Sequence, residues 1–95
     1  MGNEALYVKF LKKFPMDASF PLIKPAFDKG DLEAAFEAAH TVKGVSGNLG
    51  LTRLYKATSN TVALLRAQEK DKAVESYQEI ADSYAEAVKT IEKYL

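Results

Sequence analysis

Residues 31–50 read Asp-Leu-Glu-Ala-Ala-Phe-Glu-Ala-Ala-His-Thr-Val-Lys-Gly-Val-Ser-Gly-Asn-Leu-Gly. Apolar side chains recur at helical spacing through this stretch, which predicts a helix of about 17 residues that follows a Gly30 C-cap and an Asp31 N-cap. We expect this helix to end near Asn48, with Gly50 in the turn that follows. Its core-facing positions are Leu32, Ala35, Ala39 and Val42, with Ser46 and Leu49 as further candidates.

The chain's only histidine, His40, lies on the flank of this helix, about 120° from the centre of the core-facing stripe. Lys43, Gly44 and Gly47 fall within about 60° of His40 on one helix face. Two glycines weaken a helix by about 1–2 kcal/mol, so their presence needs a compensating role. The spacing leaves two interpretations open. Either a continuous helix uses its glycines to admit a partner's backbone, or the helix ends near Gly44 and the later glycines belong to a turn.

The composition limits the class of protein. Ninety-five residues suffice for one domain, residues 1–95, but not for an additional nucleotide-binding lobe. Lys+Arg and Asp+Glu both number 13, so no net charge attracts nucleic acid or an anionic membrane. Without cysteine there are no disulfides or thiolate metal sites. No apolar run approaches the roughly 18–20 residues that cross a bilayer, and the sequence shows no apolar h-region of the kind found in signal peptides. We therefore expect a cytoplasmic protein without direct membrane contact.

Helical spacing continues through nearly the whole sequence without the sustained alternation of a strand, which predicts an all-α protein. A second apolar stretch, residues 20–27, contains two prolines. Pro21 suits the first turn of a helix behind a Ser19 cap, whereas Pro25 should kink that helix. Before it, a short first helix is expected to stop at Pro15. Its apolar residues are Leu6, Phe10, Leu11 and Phe14.

Two further helices are predicted after Gly50, separated by a break at Lys70-Asp71. Because short connections make successive helices antiparallel, we predict an antiparallel up-down four-helix bundle with a short additional N-terminal helix. Charged residues of the last helix should form its solvated face; they are Glu75, Glu79, Asp82, Glu86 and Lys89. The predicted inner positions are Leu51, Leu54, Thr58, Thr61, Leu64 and Leu65 in one helix, and Val74, Tyr77, Ile80, Ala81, Tyr84, Val88 and Ile91 in the other.

The spacing His-x-x-Lys-Gly-x-x-x-x-x-Gly, met at His40, Lys43, Gly44 and Gly50, resembles the signature of histidine-containing phosphotransfer (HPt) domains of two-component phosphorelays. The opening segment, residues 2–14, resembles the HPt modules of hybrid sensor histidine kinases. This resemblance implies a continuous helix and a phosphoryl group carried on a ring nitrogen of His40, Nε2. It also implies response-regulator receiver domains as partners, Mg²⁺ bound by those receivers, and no cofactor of the chain's own. We expect a module excised from a larger sensor kinase, to which it would be covalently linked; the alternative is a free-standing phosphotransferase.

The residues themselves support this chemistry. A neutral imidazole is a nucleophile near neutral pH, so His40 can accept a phosphoryl group. The Lys43 ammonium, about one turn away, can bond the phosphoryl oxygens. Phe36, Gly44 and Gly47 are candidates for partner docking, although Phe36 also suits a buried position. Polar residues expected near the same end of the bundle are Asn48, Thr58, Ser59 and Asn60.

Three functions are compatible with this sequence. The first is a phosphorelay intermediate that takes a phosphoryl group from one receiver aspartate and gives it to another. The second is the phosphoacceptor domain of a chemotaxis-type kinase, and the third is a non-catalytic helical interaction module in which His40 is incidental. A dimerising histidine-kinase domain is the least favoured interpretation, because such domains usually place an acidic residue directly after the histidine, where this chain has Thr41. The sequence contains no recognised nucleotide-binding loop or serine-nucleophile motif.

Overall fold

The computed structural model describes residues 19–93, which form four α-helices and no β-strand. The all-α prediction is confirmed over this range. The predicted N-terminal helix and the side chain of Ile91 lie outside the described residues. The helices are α1 (Phe20–Lys29), α2 (Leu32–Asn48), α3 (Thr52–Arg66) and α4 (Lys70–Lys93).

Each helix packs against its neighbour in the sequence, and aromatic contacts between α1 and α4 close the bundle. The Phe20 and Tyr84 rings stack with centroids 3.7 Å apart. The Phe27 and Tyr77 rings lie 6.3 Å apart at a tilt of 31°. This closure brings the first and last described helices together, as a four-helix bundle requires.

Local signals set the bounds of α2 as the sequence predicts. Gly30 ends α1 in the left-handed region at φ +73°, and its N–H donates to the Phe27 carbonyl. The Asp31 side chain caps α2 by accepting a 3.1 Å hydrogen bond from the Ala34 N–H. Gly50 takes φ +72° in the turn after α2. The helix is therefore continuous to Asn48, and the interpretation that ends it near Gly44 is wrong.

The first helix accommodates both of its prolines. Pro21 lies in the first turn, and the helix continues through Pro25 to Lys29. Ser19 holds the N-cap position without a capping hydrogen bond from its side chain. Leu22 belongs to the predicted apolar stretch, yet it is 59% exposed. The core side of α1 consists of Ile23, Ala26 and Phe27.

The inner face of α4 differs from the predicted one. The prediction is right for Ile80, which is fully buried, and wrong for Val74, which is 43% exposed. Ala73 and Ser83 are buried instead. Alanine and serine carry little hydrophobic signal, so a search for large apolar residues overlooks them, although small side chains allow helices to approach closely. The Ser83 hydroxyl satisfies its polarity by donating to the Glu79 carbonyl at 2.6 Å.

The charged face of α4 is exposed as predicted, and it also contacts α3. The Arg53 guanidinium donates to the Glu79 carboxylate at 2.7 Å and also to Glu86. These hydrogen bonds, first to Glu79 and then to Glu86, raise the pKa of Arg53. The break before α4 comes slightly earlier than predicted, since α3 ends at Arg66 and α4 already begins at Lys70.

Candidate functional site

The imidazole of His40 lies on the exposed face of α2. Its ring stacks on Phe36, one turn earlier, with centroids 5.8 Å apart and planes inclined by 24°. Neither ring nitrogen forms a hydrogen bond to any residue within 19–93. Both nitrogens are therefore available for chemistry or for contact with a partner.

Lys43 lies one turn after His40 with its side chain half-buried. The ammonium nitrogen is 5.9 Å from the ring centroid of Tyr55, at the outer limit of a cation–π contact. No carboxylate of the described residues pairs with this ammonium. This cation, one turn after His40, can therefore contact an incoming anion without first breaking an ion pair.

The two helical glycines near His40 have different surroundings. A Cβ added to Gly44 would meet nothing within 4 Å, so this position is open. A Cβ added to Gly47 would lie 3.1 Å and 3.2 Å from Cδ2 and Cε2 of Tyr55. Gly44 therefore has open space beside it, whereas the edge of the Tyr55 ring lies close to the exposed Gly47. The docking role of both glycines stays a prediction.

Two residues of α3 belong to this face and were missed by the sequence analysis. The edge of the Tyr55 ring lies beside Gly47, and the Arg66 guanidinium lies 5.4 Å from the ring centroid of the half-buried Phe36. Tyr55 and Arg66 are about three helical turns apart, so they share one side of α3. That shared side was the available signal, but its alignment with His40 depends on how α3 packs against α2.

The polar candidates divide by burial. Thr58 is fully buried, and its hydroxyl donates to the carbonyls of Leu54 and Tyr55 at 2.9 and 3.1 Å. Those internal bonds remove Thr58 from the candidate phosphoryl-binding residues. The Ser59 Oγ is buried and forms no hydrogen bond within the described part of the chain. Asn48 and Asn60 are exposed.

The described helices were also searched for metal-binding clusters and membrane-spanning segments. Among residues 19–93, no group of three or more His, Asp or Glu side chains comes together in a way that could hold a metal ion. None of the helices in that range is long and apolar enough to span a bilayer.

An exposed imidazole, an ammonium one turn later and an open glycine therefore lie together on α2. In the comparison with protein families, residues 10–90 match the Hpt domain. The chain therefore belongs to this family, whose members carry out histidine phosphotransfer in two-component signalling and generally interact with response-regulator receiver domains. Comparisons with curated proteins and with solved structures give no significant match.

Proposed function

We propose that this protein is a phosphorelay intermediate, in which His40 accepts a phosphoryl group from the aspartate of one receiver domain and passes it to the aspartate of another. The proposal is carried by one observation above all. The chain's only histidine is exposed, within the range that matches the family, and no described residue bonds its ring nitrogens.

The transfer step needs only the His40 imidazole and the aspartyl phosphate of the receiver as reacting groups. A lone pair on one imidazole nitrogen, by family resemblance Nε2, attacks the phosphorus of the aspartyl phosphate in line with the leaving oxygen. An N–P bond forms as the P–O bond breaks, and the bonding pair leaves with the carboxylate oxygen. The proton on the other ring nitrogen stays there. Attack by a second receiver's aspartate on the phosphohistidine then reverses these bond changes.

Lys43 and the glycines supply the surroundings of this step. The Lys43 ammonium leaves the Tyr55 ring and pairs with the phosphoryl oxygens, which neutralises part of their charge. The receiver approaches over the open Gly44, with Phe36 and Gly47 at the edges of the docking surface. We assign the Mg²⁺ that assists transfer to the receiver's acidic pocket.

A labelling experiment tests this function. A radiolabelled phospho-receiver is incubated with the full chain, with His40→Gln, and with Glu37→Gln as an exposed control on the same helix. We expect acid-labile, base-stable label on the wild type and the control and none on His40→Gln, with equal helical circular dichroism for all three. Undiminished labelling of His40→Gln would overturn the assignment.

A second arm separates the relay from the chemotaxis-type alternative. The same proteins are incubated with ATP and a histidine-kinase catalytic domain in place of the receiver. Labelling by the kinase domain but by no receiver would replace the relay with a kinase phosphoacceptor. Labelling by neither would leave an interaction module in which His40 is incidental.

A further inference from the structure

Three side chains from two helices form a continuous stack beside the phosphoacceptor face. The Arg66 guanidinium lies 5.4 Å from the Phe36 ring centroid, and the Phe36 ring lies 5.8 Å from the His40 ring. Phe36 and His40 belong to α2, whereas Arg66 is the last residue of α3. We call this group the Arg66–Phe36–His40 stack.

The first contact of the stack limits the orientation of the imidazole. Side chains on a helix lean back toward the N-terminus, so the His40 ring lies over the residue four positions earlier, Phe36. A solvated imidazole without hydrogen bonds would otherwise sample several rotamers. Stacking against Phe36 at 24° restricts the plane of the ring, which is the plane that contains the nitrogen lone pair.

The second contact adds to the packing of Phe36 against the hydrophobic core. Phe36 is only half-buried, so the core alone does not enclose its ring. A guanidinium is planar and stacks on aromatic faces. Arg66 pairs with no carboxylate among residues 19–93, in contrast to Arg53, which bonds Glu79 and Glu86. The aromatic ring is therefore the contact that the described structure provides for the Arg66 guanidinium.

We propose that Arg66 is a positioning residue for phosphoryl transfer, which acts by holding Phe36 against the imidazole of His40. This inference rests on the proposed function of His40. The guanidinium braces the Phe36 ring, and the ring presents one imidazole edge to the incoming aspartyl phosphate. In-line transfer depends steeply on such alignment, so loosening the stack slows the step without removing the nucleophile.

A double-mutant cycle in the full chain tests the stack, with Arg66→Ala, Phe36→Leu and the double variant. We expect the maximal single-turnover transfer rate to fall about threefold to tenfold in Arg66→Ala and about tenfold in Phe36→Leu. The double variant should be no slower than Phe36→Leu, because Arg66 acts only through that ring. In Arg66→Ala the receiver concentration that gives half-maximal rate should change less than about twofold, because a positioning residue does not contact the receiver.

Two control variants separate the stack from charge and from folding. Arg53→Ala removes an equal charge from the same helix and should transfer at the wild-type rate. Phe36→Tyr keeps the ring and should transfer faster than Phe36→Leu. Nuclear magnetic resonance of the His40 ring protons gives a readout independent of transfer. Their ring-current shifts should move toward solvent-exposed values in Arg66→Ala and Phe36→Leu, but not in Arg53→Ala or Phe36→Tyr.

The outcomes distinguish the inference from the function beneath it. If the wild type transfers phosphate and Arg66→Ala does so equally fast, only the positioning role is overturned. If the two substitutions multiply and half-saturation rises, Arg66 instead contacts the receiver directly, and the positioning role is also overturned. If the wild type accepts no phosphate at all, the proposed function fails, and the positioning role fails with it.

Discussion

Aromatic side chains contribute contacts at two helix pairs of this bundle. In the first pair, α1 with α4, aromatic rings contact other aromatic rings. Phe20 stacks on Tyr84 with planes only 3° apart, and it meets Tyr77 edge-on at 6.3 Å. Phe27 lies against the same Tyr77 ring. These rings bury part of each other's surface, and this burial stabilises the packing of α1 against α4.

The second pair, α2 with α3, joins rings to cations. Arg66 covers Phe36, and Lys43 lies over Tyr55, whose side chain is 41% exposed. Cation–π contacts at such exposed sites contribute only about 0.5–1 kcal/mol. The α1–α4 rings contact other rings and the α2–α3 rings contact cations; by our proposals the first set stabilises the bundle and the second orients groups around His40. Four predictions test that division.

The largest expected effect is on stability at the α1–α4 pair. Phe27→Ala removes a ring that is only 8% exposed and should lower the free energy of unfolding by about 3 kcal/mol. The transfer rate per folded molecule should stay at the wild-type value. Urea unfolding and phosphotransfer measure the two quantities, with the exposed Leu22→Ala as a control on the same helix. A slower transfer rate in folded Phe27→Ala would break the division.

At the α2–α3 pair, Lys43→Ala should have the opposite profile. Removal of the ammonium should slow transfer by about tenfold or more, equivalent to about 1.4 kcal/mol or more, with an unchanged melting temperature. The exposed Lys56→Ala on α3 controls for the loss of one positive charge. Wild-type transfer by Lys43→Ala would show that this lysine is an ordinary surface residue.

The two glycines sharpen the comparison within the second pair. Gly44→Ala should raise stability by up to about 1 kcal/mol, because alanine favours helix and its methyl group meets nothing. Gly47→Ala should raise stability less, since Tyr55 must first shift by a few tenths of an ångström. In a Tyr55→Ala background the two gains should become equal, which thermal unfolding can measure. Equal gains with Tyr55 in place would contradict the contact between this ring and Gly47.

The smallest expected effect is a pH dependence at the first pair. Burial raises the pKa of Tyr77; Lys24 opposes this rise and Asp28 adds to it. The pKa of Tyr77 in the folded state exceeds the unfolded value of about 10. Its contribution to the free energy of unfolding is therefore complete below about pH 10 and is lost as the pH rises through the folded pKa. Tyr77→Phe should lose less stability than the wild type between neutral pH and that range. If chemical denaturation shows that both proteins lose the same stability at high pH, Tyr77 is not the source of this pH dependence.

The sequence predicted those parts of the fold that depend on neighbouring residues. Gly30, Asp31 and Gly50 mark the ends of α2 through backbone conformation and capping, so its bounds follow from a few adjacent positions. The inner face of α4 was less predictable. Ala73 and Ser83 are buried because they are small enough for close packing, a property that hydrophobic periodicity does not detect.

In the candidate site, too, residues placed by one helix were predicted, whereas residues placed by packing between two helices were not. His40 and Lys43 were found because one helix places them about a turn apart. Tyr55 and Arg66 were missed because their contacts with α2 depend on the relative position of two antiparallel helices. No local spacing in the sequence specifies that relative position.

The sequential packing of the bundle has a consequence for how it folds. Contacts between adjacent helices span little sequence and form quickly, whereas the contact of Phe20 with Tyr84 must close a loop that contains two whole helices. We therefore expect α1 to dock on α4 after the transition state, so that Phe20→Ala mainly accelerates unfolding and leaves the refolding rate nearly unchanged. In stopped-flow kinetics only the unfolding limb should shift. The contact that completes the bundle would then determine how long a folded molecule lasts more than how fast it forms.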